Sequence, residues 1–422
     1  MDWNESSLDN GVRIISHHSP DYHSFSVGVW VRIGSRFEDE RYGGISHFIE
    51  HLLFKGTRRR TYRRIKEEIE GVGGTFNGFT SEECTAYWVK ILKEYLPRSL
   101  DVLADMVRNP RLDAGDIEKE RTVICEEIRM YRDMPSHYVH ELFDATLFGS
   151  HPLGRPIAGT EETLSAINRT TMEEFLHRHY TPENIVVSIA GNFPPEKLLP
   201  AVEDSFGTMR KQQVNTCPPW KRGKSGPDIT LLDKKTEQTH FCLGGRAYSR
   251  LDPGRYPLTI LNLILGGNMS SRLFNEVREK RGLAYDIRSY VKAFQDTGAF
   301  VISAGVAPDK TGETLKVVVE QLKKIRESGV RDPEIVRAKR FLVSQLLMSM
   351  EENTDYMMWI GEQRLLRNDL VTLQKTIEAV RSVTGDDIKK AAGDILRPSN
   401  LFLSLIGPGQ DAAKLRSILA NL

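Results

Sequence analysis

The chain has 422 residues, with 58 lysines and arginines against 57 aspartates and glutamates, for a formal net charge of +1. Hydrophobic residues make up 40% and charged residues 27%, the balance of a globular protein, at a length that calls for two or more domains. The near-neutral charge gives no sign of a nucleic-acid surface, and no apolar run reaches membrane-span length, so neither a nucleic acid nor a membrane is expected as a partner.

In chain order, the first ten residues, MDWNESSLDN, are polar and acidic, unlike a secretory signal or a basic transit peptide. Val27, Val29, Val31 and Ile33 alternate with Ser26, Gly28, Trp30 and Arg32, predicting a half-buried strand. Ile45, Phe48, Ile49, Leu52 and Leu53 predict a buried helix around the segment HFIEH. A second strand is predicted over Thr85–Leu92. A helix over 96–108 follows, with Leu96, Leu100, Leu103 and Val107 on one face. The run DIEKERTVICEEIRM, 116–130, is built from strong helix formers. In the second half, strands are predicted at 240–246, 283–291 and 299–305, and helices at 256–265, 310–327 and 332–351. Four cysteines, Cys84, Cys125, Cys217 and Cys242, form no C-x-x-C pair. They read as reduced thiols of a cytoplasmic protein, with Cys125 a small buried apolar residue and not a ligand.

The chain also echoes itself. Residues 182–191 read PENIVVSIAG and residues 398–407 read PSNLFLSLIG, each a turn, an apolar strand and a terminal glycine. Each follows an amphipathic helix that starts near a threonine, Thr171 or Thr384. Two duplicated halves are therefore expected, with a polar, basic, Pro/Gly-rich stretch between them suited to a linker. The expected organisation is a catalytic domain over 1–212, a linker over 213–227 and a homologous domain over 228–422. The fold class is α+β, each half an antiparallel sheet covered by helices.

His47 and His51 are four apart, so on a helix both imidazoles leave one face. That is the spacing two zinc ligands need. Glu50 faces the same site, where a carboxylate can take a proton from a metal-bound water and return it to a leaving amine. The pentapeptide alone is only suggestive. A third ligand is sought on the 116–130 helix, where Glu126 and Glu127 both serve by spacing. Glu120 and Glu127 share a face two turns apart, which favours Glu127 and makes Glu120 a carboxylate that orients a ligand or water.

These residues stand in a longer series: HFIEHLLFKGT at 47–57, NGFTS at 77–81, Glu120 with Glu127, YTPEN at 180–184, LGGNMSSRLF at 265–274, and Arg278 with Tyr285. The series resembles peptidase family M16, the pitrilysin superfamily. It is most similar to the short members, among them the mitochondrial processing peptidase β-subunit and its bacterial relatives. The resemblance implies a zinc endopeptidase with one Zn2+ per chain held by His47, His51 and Glu127. It makes Glu50 the base and Glu120 the second acid. It implies duplicated halves around a closed chamber, short or unfolded peptide substrates, and Arg278 and Tyr285 approaching the substrate from the second half. Since one chain carries both sets, a homodimer is expected. Asn77, Gly78, Phe79 and Thr80 resemble the substrate-binding edge, with Gly78 where the family usually has alanine.

Overall fold

The computed structural model describes residues 3–211, 216–221, 223, 226–367 and 369–422. Residues 213–215, 222, 224 and 225 of the expected linker lie outside the described residues. The chain forms two compact units. The first holds Met1–Ile128, Pro156–Pro218 and Leu346–Leu373, and the second holds Arg129–Arg155, Pro219–Gln345 and Gln374–Leu422.

The first unit is built on six strands: β1 (Asn4–Ser7), β2 (Arg13–His18), β3 (Ser24–Val31), β4 (Thr75–Thr80), β5 (Thr85–Leu92) and β6 (Ile185–Gly191). Their order across the sheet is β1-β2-β6-β3-β5-β4. The second unit is built on β7 (Asp228–Leu232), β8 (Thr239–Ala247), β9 (Ala284–Ala293), β10 (Gly298–Val306) and β11 (Phe402–Ile406), in the order β7-β11-β8-β10-β9. Each sheet is antiparallel apart from one parallel pair, β2 with β6 and β7 with β11. The echoed segments are β6 and β11, and each sits between a parallel and an antiparallel neighbour. Leaving out β1, the two sheets share one topology.

The recurring P-x-N has a physical reason. Asn184 donates its amide to the carbonyl of His179 (2.9 Å), and Asn400 donates to the carbonyl of Ile395 (2.9 Å). Each asparagine thereby satisfies an end carbonyl of the helix before its strand. The helix expected near Thr171 spans Arg169–His179 and is capped from outside by Asn168. Thr171 is the third residue of its capping box, because its hydroxyl accepts from the Asn168 amide at 2.9 Å. Thr384 is itself the cap of Gly385–Ile395.

Four helices matter most here: α1 (Ile45–Leu53), α2 (Ala114–Asp133), α3 (Pro135–Phe148) and α4 (Asn353–Leu366). Although α3 precedes the midpoint of the chain, it packs on β8 and β11 of the second sheet. Thr146 bonds there to Ser404 and Thr230, both at 2.9 Å. In turn α4, from the second half of the sequence, packs on β2, β3 and β6 of the first. Asn353 at its start accepts from Ser26 at 2.9 Å and donates to the carbonyl of Ser24 at 3.0 Å. Each unit is therefore completed by a helix from the other half of the sequence.

Candidate metal centre

The α1 helix places its functional side chains by amphipathicity. Ile45, Phe48, Ile49, Leu52 and Leu53 are buried, leaving His47, Glu50 and His51 half-buried on the opposite side. Its start is fixed by Gly44, at φ +93°, where an added Cβ would lie 2.5 Å from the carbonyl oxygen of Ala158. The buried Glu38 carboxylate accepts from Gly44 N at 2.7 Å and Ser46 N at 2.8 Å. That satisfies amide donors in the first turn and complements the helix dipole. Nothing in the spacing of Glu38 singles it out, because it lies seven residues before the helix starts.

His47, His51 and Glu127 offer ligand atoms that all lie within 4.8 Å of one another. Nε2 of His47 is 3.9 Å and Nε2 of His51 is 3.8 Å from Oε2 of Glu127. Tetrahedral zinc with bonds near ~2.0–2.1 Å sets its ligand atoms about 3.4 Å apart, so each histidine nitrogen lies within about half an ångström of its bound separation from the Glu127 oxygen. Two imidazoles and one carboxylate, with no fourth protein ligand in the group among the described residues, are the donor set of a site that keeps a position open. The residues present fit the ion. Glu126 is exposed, so of the two adjacent acids only Glu127 joins the histidines.

Glu120 is 5% exposed. Its Oε2 is 3.2 Å from Nδ1 of His51, and its Oε1 is 2.6 Å from Nζ of Lys55. Burial pushes the His47 imidazole down to about 4, with the neighbouring His51 adding to the effect. A neutral imidazole is the form that binds a metal. Burial also raises Glu50, as does Glu127, while a hydrogen bond from Thr80 and the proximity of His51 oppose the rise. The Thr80 hydroxyl donates to Oε2 of Glu50 at 2.7 Å. Behind them the buried hydroxyls of Tyr87 and Tyr180 lie 3.0 Å apart.

The other expected site residues lie on β4 and in the second unit. Asn77, Gly78, Phe79 and Thr80 are on β4, which ends its sheet and pairs only with β5 among the described residues. Asn77 turns its side-chain oxygen back onto Gly78 N at 2.8 Å, and Phe79 meets the Trp30 ring edge-on at 5.7 Å. A Cβ at Gly78 would lie 3.2 Å from the Phe54 ring, so alanine there requires that ring to give way. Arg278 and Tyr285 belong to the second unit, where the guanidinium lies 4.8 Å from the Tyr285 ring centre and 4.7 Å from that of Phe274. Tyr285 is 78% exposed at the edge strand β9.

Residues 13–161 match the family described as Insulinase (Peptidase family M16), and residues 166–342 match the Peptidase M16 inactive domain. An uncharacterized zinc protease of Streptomyces coelicolor is 37% identical over 98% of this chain and 92% of its own length. The chain belongs to the M16 family of zinc proteases. The uncharacterized zinc protease YmxG of Bacillus subtilis is 36% identical to this M16 protein, over 95% of this chain and 97% of the relative. The fold is that of a protease from Helicobacter pylori, at a TM-score of 0.90 and 22% identity, covering 96% of this chain and 99% of that one. No helix among the described residues is long and apolar enough to cross a membrane.

Proposed function

We propose that this M16 protein is a zinc-dependent endopeptidase of the inverted-zincin type that hydrolyses short or unfolded peptides. The observation that carries the reading is the convergence of His47 Nε2, His51 Nε2 and the Glu127 carboxylate, with Glu50 on the same helix face. His47, His51 and Glu127 would hold one zinc ion per chain. When bound, zinc polarises the scissile carbonyl and acidifies a water. Glu50 takes the proton from the attacking water and passes it to the leaving nitrogen, restoring its carboxylate. Thr80, bonded to one Glu50 oxygen, holds that carboxylate in orientation. Glu120 steadies His51 through Nδ1.

The free edge of β4 suits an extended peptide, which adds as a further strand through main-chain hydrogen bonds. Unfolded or short chains present such a backbone readily, and a processing-type role fits this preference. Arg278 and Tyr285 are donors for the developing oxyanion. Their stacking supports this by restricting the guanidinium before substrate arrives. We further propose a homodimer in the cytoplasm, a compartment in keeping with four cysteines held as thiols. Sedimentation of the active protein as a monomer would remove the dimer. Loss of peptide hydrolysis on chelation, with recovery on adding zinc, tests the main reading, and activity that survives complete removal of metal would refute it.

A further inference from the structure

We infer that Lys55 is a positioning residue of the metal centre, acting on His51 through Glu120. The inference rests on the proposed zinc site. Lys55 stands just past the end of α1, where its backbone N–H still bonds to the Leu52 carbonyl at 3.0 Å. Its ammonium meets Oε1 of Glu120 at 2.6 Å, and the other oxygen of the same carboxylate meets Nδ1 of His51 at 3.2 Å. Glu120 is almost fully buried, whereas the Lys55 side chain is 40% exposed and the His51 side chain 23% exposed.

This geometry assigns each oxygen one donor. Lys55 supplies the counter-charge that a buried carboxylate needs and fixes the rotation of the carboxyl plane. With Oε1 engaged, Oε2 is left to accept from Nδ1–H of His51. That tautomer leaves the Nε2 lone pair free on the side of Glu127 and His47. The lysine thus selects the imidazole tautomer and ring angle at which His51 can act as a ligand, without touching the metal itself. A lysine at a helix C-terminus is also favoured by the helix dipole alone. That simpler role predicts an effect on unfolding and none on His51.

The two roles separate on the full-length protein with the variants Lys55→Met, Lys55→Arg, Glu120→Gln and the Lys55→Met/Glu120→Gln double variant. Zinc affinity is read by chelator competition, and the His51 tautomer of the metal-free protein by 15N NMR of its ring. Lys55→Met should weaken zinc binding about 10- to 100-fold and mix the two His51 tautomers, while Lys55→Arg should keep the Nδ1–H form and most of the affinity. The amide introduced by Glu120→Gln has one acceptor for two donors, so that variant should lose affinity by a similar factor. Adding Lys55→Met to it should cost no more, because the remaining acceptor is then released to His51. Unchanged affinity and tautomer in Lys55→Met, or losses that multiply in the double variant, would overturn the inference. If the wild type binds no zinc, the proposed metal site fails, and the tautomer measurement still decides the role of Lys55.

Discussion

Gly361→Ala tests whether α4 returns to the first sheet. The added methyl carbon would lie 2.2 Å from Nε1 of Trp30 and 2.7 Å from Oγ of Ser188. Those two atoms share a buried hydrogen bond of 2.8 Å, and Trp30 is 2% exposed. Forcing a methyl into packed space costs about 1–3 kcal/mol, and breaking the indole bond costs about 1 kcal/mol. Alanine recovers about 1 kcal/mol of helix propensity. The net expectation is a loss of about 1–3 kcal/mol. Gly393→Ala is the matched control, since it lies in the helix Gly385–Ile395 with no atom within 4 Å of the new Cβ. It should gain about 0.4–1 kcal/mol. Urea unfolding followed by the combined fluorescence of the five tryptophans, together with amide exchange of β3 and β6, reads both. With a slope of about 3 kcal/mol per molar urea, the upper end of the small-protein range, Gly361→Ala should lower the midpoint by about 0.3–1 M. If Gly361→Ala stabilises the protein as Gly393→Ala does, α4 does not pack on Trp30 and the exchange of helices is wrong.

Three other outcomes follow from the structure. Glu127→Gln exchanges an anionic ligand for a neutral amide, so the purified variant should retain well below one zinc per chain by elemental analysis, with unchanged circular dichroism. Arg278→Met removes the proposed oxyanion donor and changes no residue of the metal group, so kcat should fall about 10- to 100-fold at full zinc content, within the range of a lost oxyanion donor. Half-buried His140 and buried His179 are both pushed down to about 4, chiefly by desolvation. In the unfolded chain they protonate near ~6.5, so stability is unaffected above that pH and declines as pH falls from there towards 4. Each contributes at most about 1.4 kcal/mol per pH unit, and the His140→Gln/His179→Gln variant should flatten the urea-midpoint profile of the metal-free protein between pH 6.5 and 4.5.

Much of this architecture is legible locally. The alternation at 26–33 became β3 over Ser24–Val31, but that strand is buried on both faces and not on one, because α4 covers the side that carries Ser26, Gly28 and Trp30. The apolar run at 182–191 became β6, and its echo became β11 in the equivalent place of the second sheet. The apolar stripe of α1 likewise foretold which side chains stay out of the core. The two-turn spacing of Glu120 and Glu127 favoured Glu127 over its neighbour Glu126, and the structure agrees, with Glu126 exposed and Glu127 grouped with the histidines. What periodicity cannot carry is which sheet a helix packs on. The sequences of α3 and α4 mix polar and apolar residues, and their destinations depend on contacts such as Thr146 to Ser404 and Asn353 to Ser26, formed across 258 and 327 residues. Glu38 and Lys55 were invisible for a related reason. Each acts on a group brought near by folding, and neither has a spacing that sets it apart from an ordinary surface charge.

In the proposed reaction Glu50 moves the proton in a zinc site made by His47, His51 and Glu127. The most direct measurement compares wild type with Glu50→Gln on a quenched fluorescent peptide library, with zinc content determined on both. Expected are near-stoichiometric zinc in each protein, cleavage by the wild type, and a loss of at least about 100-fold in the variant, the lower end of what a positioned acid–base group contributes. Equal cleavage by both proteins at equal zinc content would contradict this role of Glu50.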